Sequence, residues 1–231
     1  MKASALVVAL LLLAVAACDR QATGTNPPAA GAAAPSAAAA PAPTVAAPAP
    51  ATAAPAATAA AAAPPAGFDQ TLDLQGVTFH VTSANAGSLN RLRIAPKGLK
   101  GDNAVIKQEI DGTVTMAEVA DLDADGSPEV YVYVTSAGSG SYGSLVAYAA
   151  NKGRSLSAIF LPPLTDDPKA SKGYLGHDEF RVVENTLVRR FPVYRAGDTN
   201  AQPSGGTRQI HYKLKAGEAG WLLRPDRTVD F

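Results

Sequence analysis

Cysteine is nearly absent from this 231-residue chain: there is one, Cys18, beside two methionines, one tryptophan, three histidines and a charged fraction of only 17%. A single cysteine excludes an intramolecular disulfide framework, so any folded body must rely on its core. The histidines, His80, His177 and His211, are too scattered to suggest a metal triad by spacing. A surplus of charge is missing too, with 20 Lys+Arg against 20 Asp+Glu, which excludes the basic excess a nucleic-acid binder needs to neutralise phosphates. The serine nucleophile elbow is also lacking. It needs a glycine two positions before the serine, and Ser136, Ser139, Ser141 and Ser144 all lack one there.

What is present is unevenly placed. Met1-Lys2 and the run Leu6–Leu13 have the charged start and short apolar stretch of a secretory signal, too short to span a membrane comfortably. The stretch Val15-Ala16-Ala17-Cys18 resembles a bacterial lipobox, so residues 1–17 read as a lipoprotein signal peptide and Cys18 as the acylated new N-terminus. Asp19, by analogy with bacterial lipoproteins, hints at the inner rather than the outer membrane. Residues 20–66 then carry 25 alanines and 10 prolines among 47 residues. Such a tract offers nothing large to bury, and its prolines interrupt any long helix, so 18–66 reads as a disordered tether. Extended in polyproline II form, the 47 residues 20–66 would reach about 145 Å at ~3.1 Å per residue. The expected location is the periplasm, on a lipid anchor.

From residue 67 to 231 the pattern changes to short alternating or apolar runs separated by Gly, Pro, Asn and Asp. Removing Lys2, Arg20 and Asp19 leaves this part 18 Lys+Arg and 19 Asp+Glu. Strands are expected at 77–82, 91–95, 114–120, 129–135, 145–150, 155–161, 180–183, 187–193, 208–214 and 220–223. No run sustains a helical period, so the fold class is all-β, an antiparallel sandwich or barrel. In Glu129–Thr135 the valines face one way and Tyr131 and Tyr133 the other, which predicts a central strand covered on both sides. Arg189-Arg190 inside a strand pattern reads as a solvated edge, and Trp221 reads as core.

Two loops carry chemistry. Ser136–Ser144 holds three glycines, four serines and one large side chain, Tyr142, displayed among hydroxyls. That is the composition of a recognition loop, and equally of a hairpin connection whose tyrosine folds back. Asp121-Leu122-Asp123-Ala124-Asp125-Gly126 matches the opening half of a calcium loop, with Glu129 close behind. The twelfth position is Val132 rather than a bidentate glutamate, so an Asx-type turn between two strands stands beside calcium binding by Asp121, Asp123, Asp125 and Glu129.

The stretches Ile110–Val114, Glu129–Tyr148, Gly173–Phe180 and Glu218–Trp221, and above all Ser139-Gly140-Ser141-Tyr142 after a tyrosine-rich strand, resemble the periplasmic inhibitors of invertebrate-type lysozyme. The last four residues match that family's Ser-Gly-x-Tyr inhibitory loop. The resemblance implies a β-sandwich without enzymatic activity or cofactor, whose partner is lysozyme and whose Ser139, Gly140, Ser141 and Tyr142 enter the enzyme's cleft. Tyr174, His177 and Asp178 would supply secondary contacts, and a homodimer is left open. A tethered peptidoglycan- or carbohydrate-binding module is the alternative, with Tyr142 as a stacking platform.

Overall fold

Every second residue of the strand Val77–Ser83 is buried, Val77, Phe79 and Val81 facing one way, the two-residue period of a sheet covered on one side. This strand is β2 in the computed structural model, which describes residues 67–218 and 220–231; the signal segment, Cys18 and the Ala/Pro tract lie outside the described residues. With β1 (Phe68–Leu74), β3 (Leu89–Lys97) and β4 (Ile106–Asp111) it forms an antiparallel sheet in simple chain order. The rest of the domain is a second sheet of β5 (Thr113–Ala120), β6 (Glu129–Thr135), β7 (Gly143–Ala150), β8 (Leu156–Phe160), β9 (Glu179–Val183), β10 (Thr186–Pro192), β11 (Thr207–Gly217) and β12 (Gly220–Asp230). Its spatial order is β5-β6-β7-β8-β12-β11-β10-β9. One pair is parallel, β8 with β12, joined at Ile159–Trp221 and Phe160–Leu222. The helical content among the described residues is one 3-10 turn, Leu164–Asp166.

The eight strands curl into a nearly closed barrel. Tyr131, Tyr133, Phe180, Leu187, Phe191, Ile210, Leu214 and Leu223, drawn from five of them, share one interior cluster. At the seam β5 meets β9 through side chains: the Glu118 carboxylate accepts the Val182 N–H at 2.9 Å and also the Tyr133 hydroxyl. A bulge at Thr115 sets this up, because it re-phases β5 so that Met116 and Glu118 turn toward the barrel while Val114 and Ala117 turn outward.

The four-stranded sheet covers the barrel's outer wall. Phe79, Val81, Leu92, Ile94 and Ile110 pack there against Val114, Ala117, Val130, Val132, Val134 and Val146. Strand β6 is therefore shared by two cores, its valines in one and its tyrosines in the other, as the sequence predicts for a central strand.

Arg189 departs from expectation. β10 is not an edge, since it runs between β9 and β11. Arg189 alternates with Leu187 and Phe191 and is buried with them, while Arg190 is exposed. The edge reading thus fails for this strand; Arg190 alone is solvated, and Arg189 tolerates burial because it is paired, as described below. Trp221 is half-buried against the barrel core and donates its indole N–H to Asn151 at 3.0 Å.

The two sheets are joined across Gly112, whose φ of +117° lies in the region that favours glycine. A Cβ there would sit 2.1 Å from the Thr135 carbonyl oxygen and 2.8 Å from Ser136 Cα. Gly112→Ala is expected to cost about 2–4 kcal/mol through strain and overpacking, read as a lowered thermal midpoint.

Candidate functional site

β6 and β7 form a hairpin whose connection, Ser136–Tyr142, is closed at its neck by Ser136. Its N–H donates to the Tyr142 carbonyl at 2.9 Å and its Oγ accepts the Tyr142 N–H at 3.0 Å. Inside the neck Gly138 has φ +113° and Ser141 has φ +42°, angles that a bulkier or branched residue would resist. Ser139 is exposed, and Tyr142 is 47% exposed. The loop thus presents one hydroxyl near its tip and one aromatic hydroxyl at its exit.

A second loop, Gly173–Asp178, lies against the first. The His177 N–H donates to the Gly140 carbonyl at 2.7 Å, and Asn200 Nδ2 donates to the Ser139 carbonyl. Because Asn200 Oδ1 faces His177 Nε2 at 3.2 Å, that ring nitrogen is the donor. The loops touch so closely that a Cβ at Gly176 would lie 2.0 Å from the Gly140 carbonyl oxygen, and one at Gly143 would lie 2.5 Å from Asp178 Cβ. Tyr142 stacks edge-on against Tyr174, with centroids 5.6 Å apart, and Tyr174 against Phe191 at 4.8 Å, an aromatic ladder from surface to barrel core.

Beneath the ladder lies a buried polar cluster. Arg189 Nε donates to Asp178 Oδ1 at 2.7 Å, the two side chains being 6% and 0% exposed. Asp178 Oδ2 accepts the Gly143 N–H at 2.7 Å and the Tyr174 hydroxyl, while Arg189 Nη2 donates to the Tyr174 oxygen at 2.8 Å. Burial, the largest single influence, works against the Arg189 charge, but the bond to Asp178, the Asp178 charge and the Tyr174 and Tyr212 phenols together more than offset it, and the guanidinium is held above its usual range. Burial, with the bond to Asp178 next, pushes the Tyr174 phenol up. Tyr174 and Asp178 therefore support the loop from below. Leu175, 43% exposed, is the apolar surface residue of this second loop.

The acidic turn lies at the other end of β6, whose seven residues separate the two features by about 20 Å at ~3.3 Å per residue. Carboxylate oxygens of Asp121, Asp123 and Glu129 come within 4.8 Å of one another. Asp125 is not in that group, and its Oδ1 accepts the Ser127 N–H at 2.7 Å. Both Asp121 oxygens accept turn amides, from Asp125 and Gly126 at 3.0 Å, as an Asx-type turn requires. Asp123 Oδ1 is buried without a partner, and Glu129 is 2% exposed. Burial first, then the Asp123 and Asp121 charges, push the Glu129 carboxyl up to about 8. Three such carboxyls could share a proton or hold a hard cation.

Sequence reasoning missed Arg189 and Asn200. A signal for Arg189 existed in its alternation with Leu187 and Phe191; Asn200 meets the loop through space alone. No curated protein and no solved structure matches the chain. Residues 100–164, which run from before β4 to the start of the 3-10 turn after β8 and contain the whole Ser136–Tyr142 loop, match the model of the family described as periplasmic lysozyme inhibitor of I-type lysozyme, the family whose motifs this sequence resembles.

Proposed function

We propose that this chain is a membrane-tethered periplasmic inhibitor of lysozyme, of the invertebrate type, that binds by inserting Ser139-Gly140-Ser141-Tyr142 into the enzyme's active-site cleft and catalyses nothing itself. The observation that carries the reading is an exposed, internally braced loop of this composition inside the segment matching the family model. Lysozymes cleave glycosidic bonds between two carboxyl groups. The Ser139 and Tyr142 hydroxyls can donate to such carboxyls as sugar hydroxyls do, while offering no bond to cleave. Charge-assisted bonds of this kind contribute about 1.5–3 kcal/mol each, so tight binding needs a surrounding contact of roughly 800 Å² per partner. Exposed Leu175 extends the apolar part of that contact.

Residual activity of invertebrate, chicken and goose lysozymes with the purified protein tests the reading, with inhibition of the invertebrate enzyme expected. A sugar-binding module would instead sediment with purified peptidoglycan and leave all three enzymes active. Anchoring has its own test: Cys18→Ala is expected to release the protein from membranes or leave it as uncleaved precursor. Wild-type protein found in the soluble periplasmic fraction with a free thiol would show that Cys18 is not acylated.

A further inference from the structure

The Ser136–Tyr142 loop owes little of its shape to its own side chains. Its residues are small, and glycine and serine leave a free chain many accessible conformations. Ser136 closes its neck, but the bonds that fix its tip and its exit come from elsewhere. Asn200 and the His177 amide hold the carbonyls of Ser139 and Gly140 at the tip, and Asp178 holds the Gly143 amide where the loop rejoins β7. Asp178 is in turn fixed by Arg189 and Tyr174. A buried ion pair is a costly way to stabilise a barrel, and apolar side chains of similar volume commonly do as well. What an apolar pair could not do is accept the Gly143 N–H from inside the barrel.

We infer that Asp178, Arg189, Tyr174 and Asn200 are positioning residues, a clamp that holds the Ser139–Tyr142 loop in its binding shape before a partner arrives; this rests on the loop reading above. All four lie beyond residue 164, outside the segment that matches the family model. Asp178 and Arg189 touch no partner, since their side chains are 0% and 6% exposed. Their effect is on the fraction of molecules whose loop is competent, and apparent affinity scales with that fraction.

Two variants of the full mature chain test the clamp. Tyr174→Phe/Asn200→Ala removes the two hydrogen bonds of the Tyr174 hydroxyl, to Asp178 and from Arg189, and the two of the Asn200 side chain, to Ser139 and from His177, and keeps an aromatic ring under Tyr142. Asp178→Leu/Arg189→Met replaces the ion pair by apolar residues and buries no lone charge. Each is expected to keep its cooperative thermal transition, to exchange the Gly143 and His177 amides faster, and to inhibit about 10- to 100-fold less well. The loss should fall on the association rate, because fewer molecules are competent at encounter. Residues that touch an enzyme directly act mainly on dissociation. Wild-type inhibition by either folded variant, unchanged amide exchange, or a loss confined to the dissociation rate overturns the clamp. Full inhibition by Ser139→Ala/Tyr142→Ala, run alongside, overturns the loop reading instead, whatever the clamp variants do.

Discussion

Protein carrying Ser139→Ala and Tyr142→Ala together is expected to fold normally and to leave lysozyme uninhibited. Each hydroxyl removed singly, by Ser139→Ala or Tyr142→Phe, should weaken inhibition by about 1–3 kcal/mol, roughly 5- to 150-fold, since a desolvated enzyme carboxyl loses its partner. The geometry makes these clean substitutions. Asn200 bonds the carbonyl of Ser139, not its hydroxyl, and Tyr142 meets Tyr174 through its ring. Tyr142→Ala should therefore cost more than Tyr142→Phe, and the two deletions need not add if both hydroxyls serve one catalytic site. Gly140→Val belongs to the same series: a Cβ there would lie 2.4 Å from the Tyr142 ring and force it aside. A sugar-binding module would tolerate Tyr142→Phe and Ser139→Ala and lose affinity with Tyr142→Ala. A purely structural hairpin would lose thermal stability with inhibition intact. Residual enzyme activity and circular-dichroism melts on the same variants separate the three outcomes.

The second large effect concerns Glu129. With chelator present, the stability of the wild type relative to Glu129→Gln is expected to fall as pH rises from about 5 to above 8. The sign follows from linkage. The unfolded chain releases this proton near the ordinary value of 4.5, whereas the folded chain keeps it until about 8. Between those values the native state binds more protons, so its advantage is full at the acid end and is lost as pH rises through the folded value. The whole excursion is on the order of 5 kcal/mol. Glu129→Gln still accepts the Leu122 N–H, which Glu129 accepts at 2.8 Å, but cannot ionise, so its profile should be the flatter one. The same titration with calcium discriminates the two readings of the acidic turn. A cation held by Asp121, Asp123 and Glu129 would keep Glu129 ionised and raise the midpoint, by ~2.7 kcal/mol at 100 times its dissociation constant, and Glu129→Gln would lose that gain. A midpoint indifferent to calcium leaves the Asx-type turn alone.

What could be read from the sequence was whatever repeats along one strand. β6 was legible to the residue because its valines and tyrosines alternate over seven positions. β1 and β4 were not, because they are the two edges of their sheet and carry polar residues: Lys107, Gln108 and Glu109 are all exposed, and Ile110 alone in β4 is buried. The second half of β12, from Arg224 onward, was hidden for the same reason. Closure of the barrel depends on the parallel β8–β12 pair and on Glu118 bridging to β9, partners far apart in sequence. The candidate site divides the same way. Gly/Ser composition with a single tyrosine announces the loop, but Asp178, Arg189 and Asn200 meet it only after the chain has folded. In the acidic turn the alternate spacing pointed to Asp125, whereas the fold gathers Asp121 and Asp123 with Glu129, which enters from the strand.

Sharing β6 between two cores makes its length a fixed quantity. Valines on one side and tyrosines on the other leave no spare face to absorb an error, and a one-residue insertion or deletion would present tyrosine hydroxyls to the outer core and valines to the barrel. It would also turn the hairpin exit through half a pleat, carrying Tyr142 away from Tyr174. Length variation in this part of the chain is thereby confined to the turns flanking β6, and a homologue that altered β6 by one residue could not present the loop on this face.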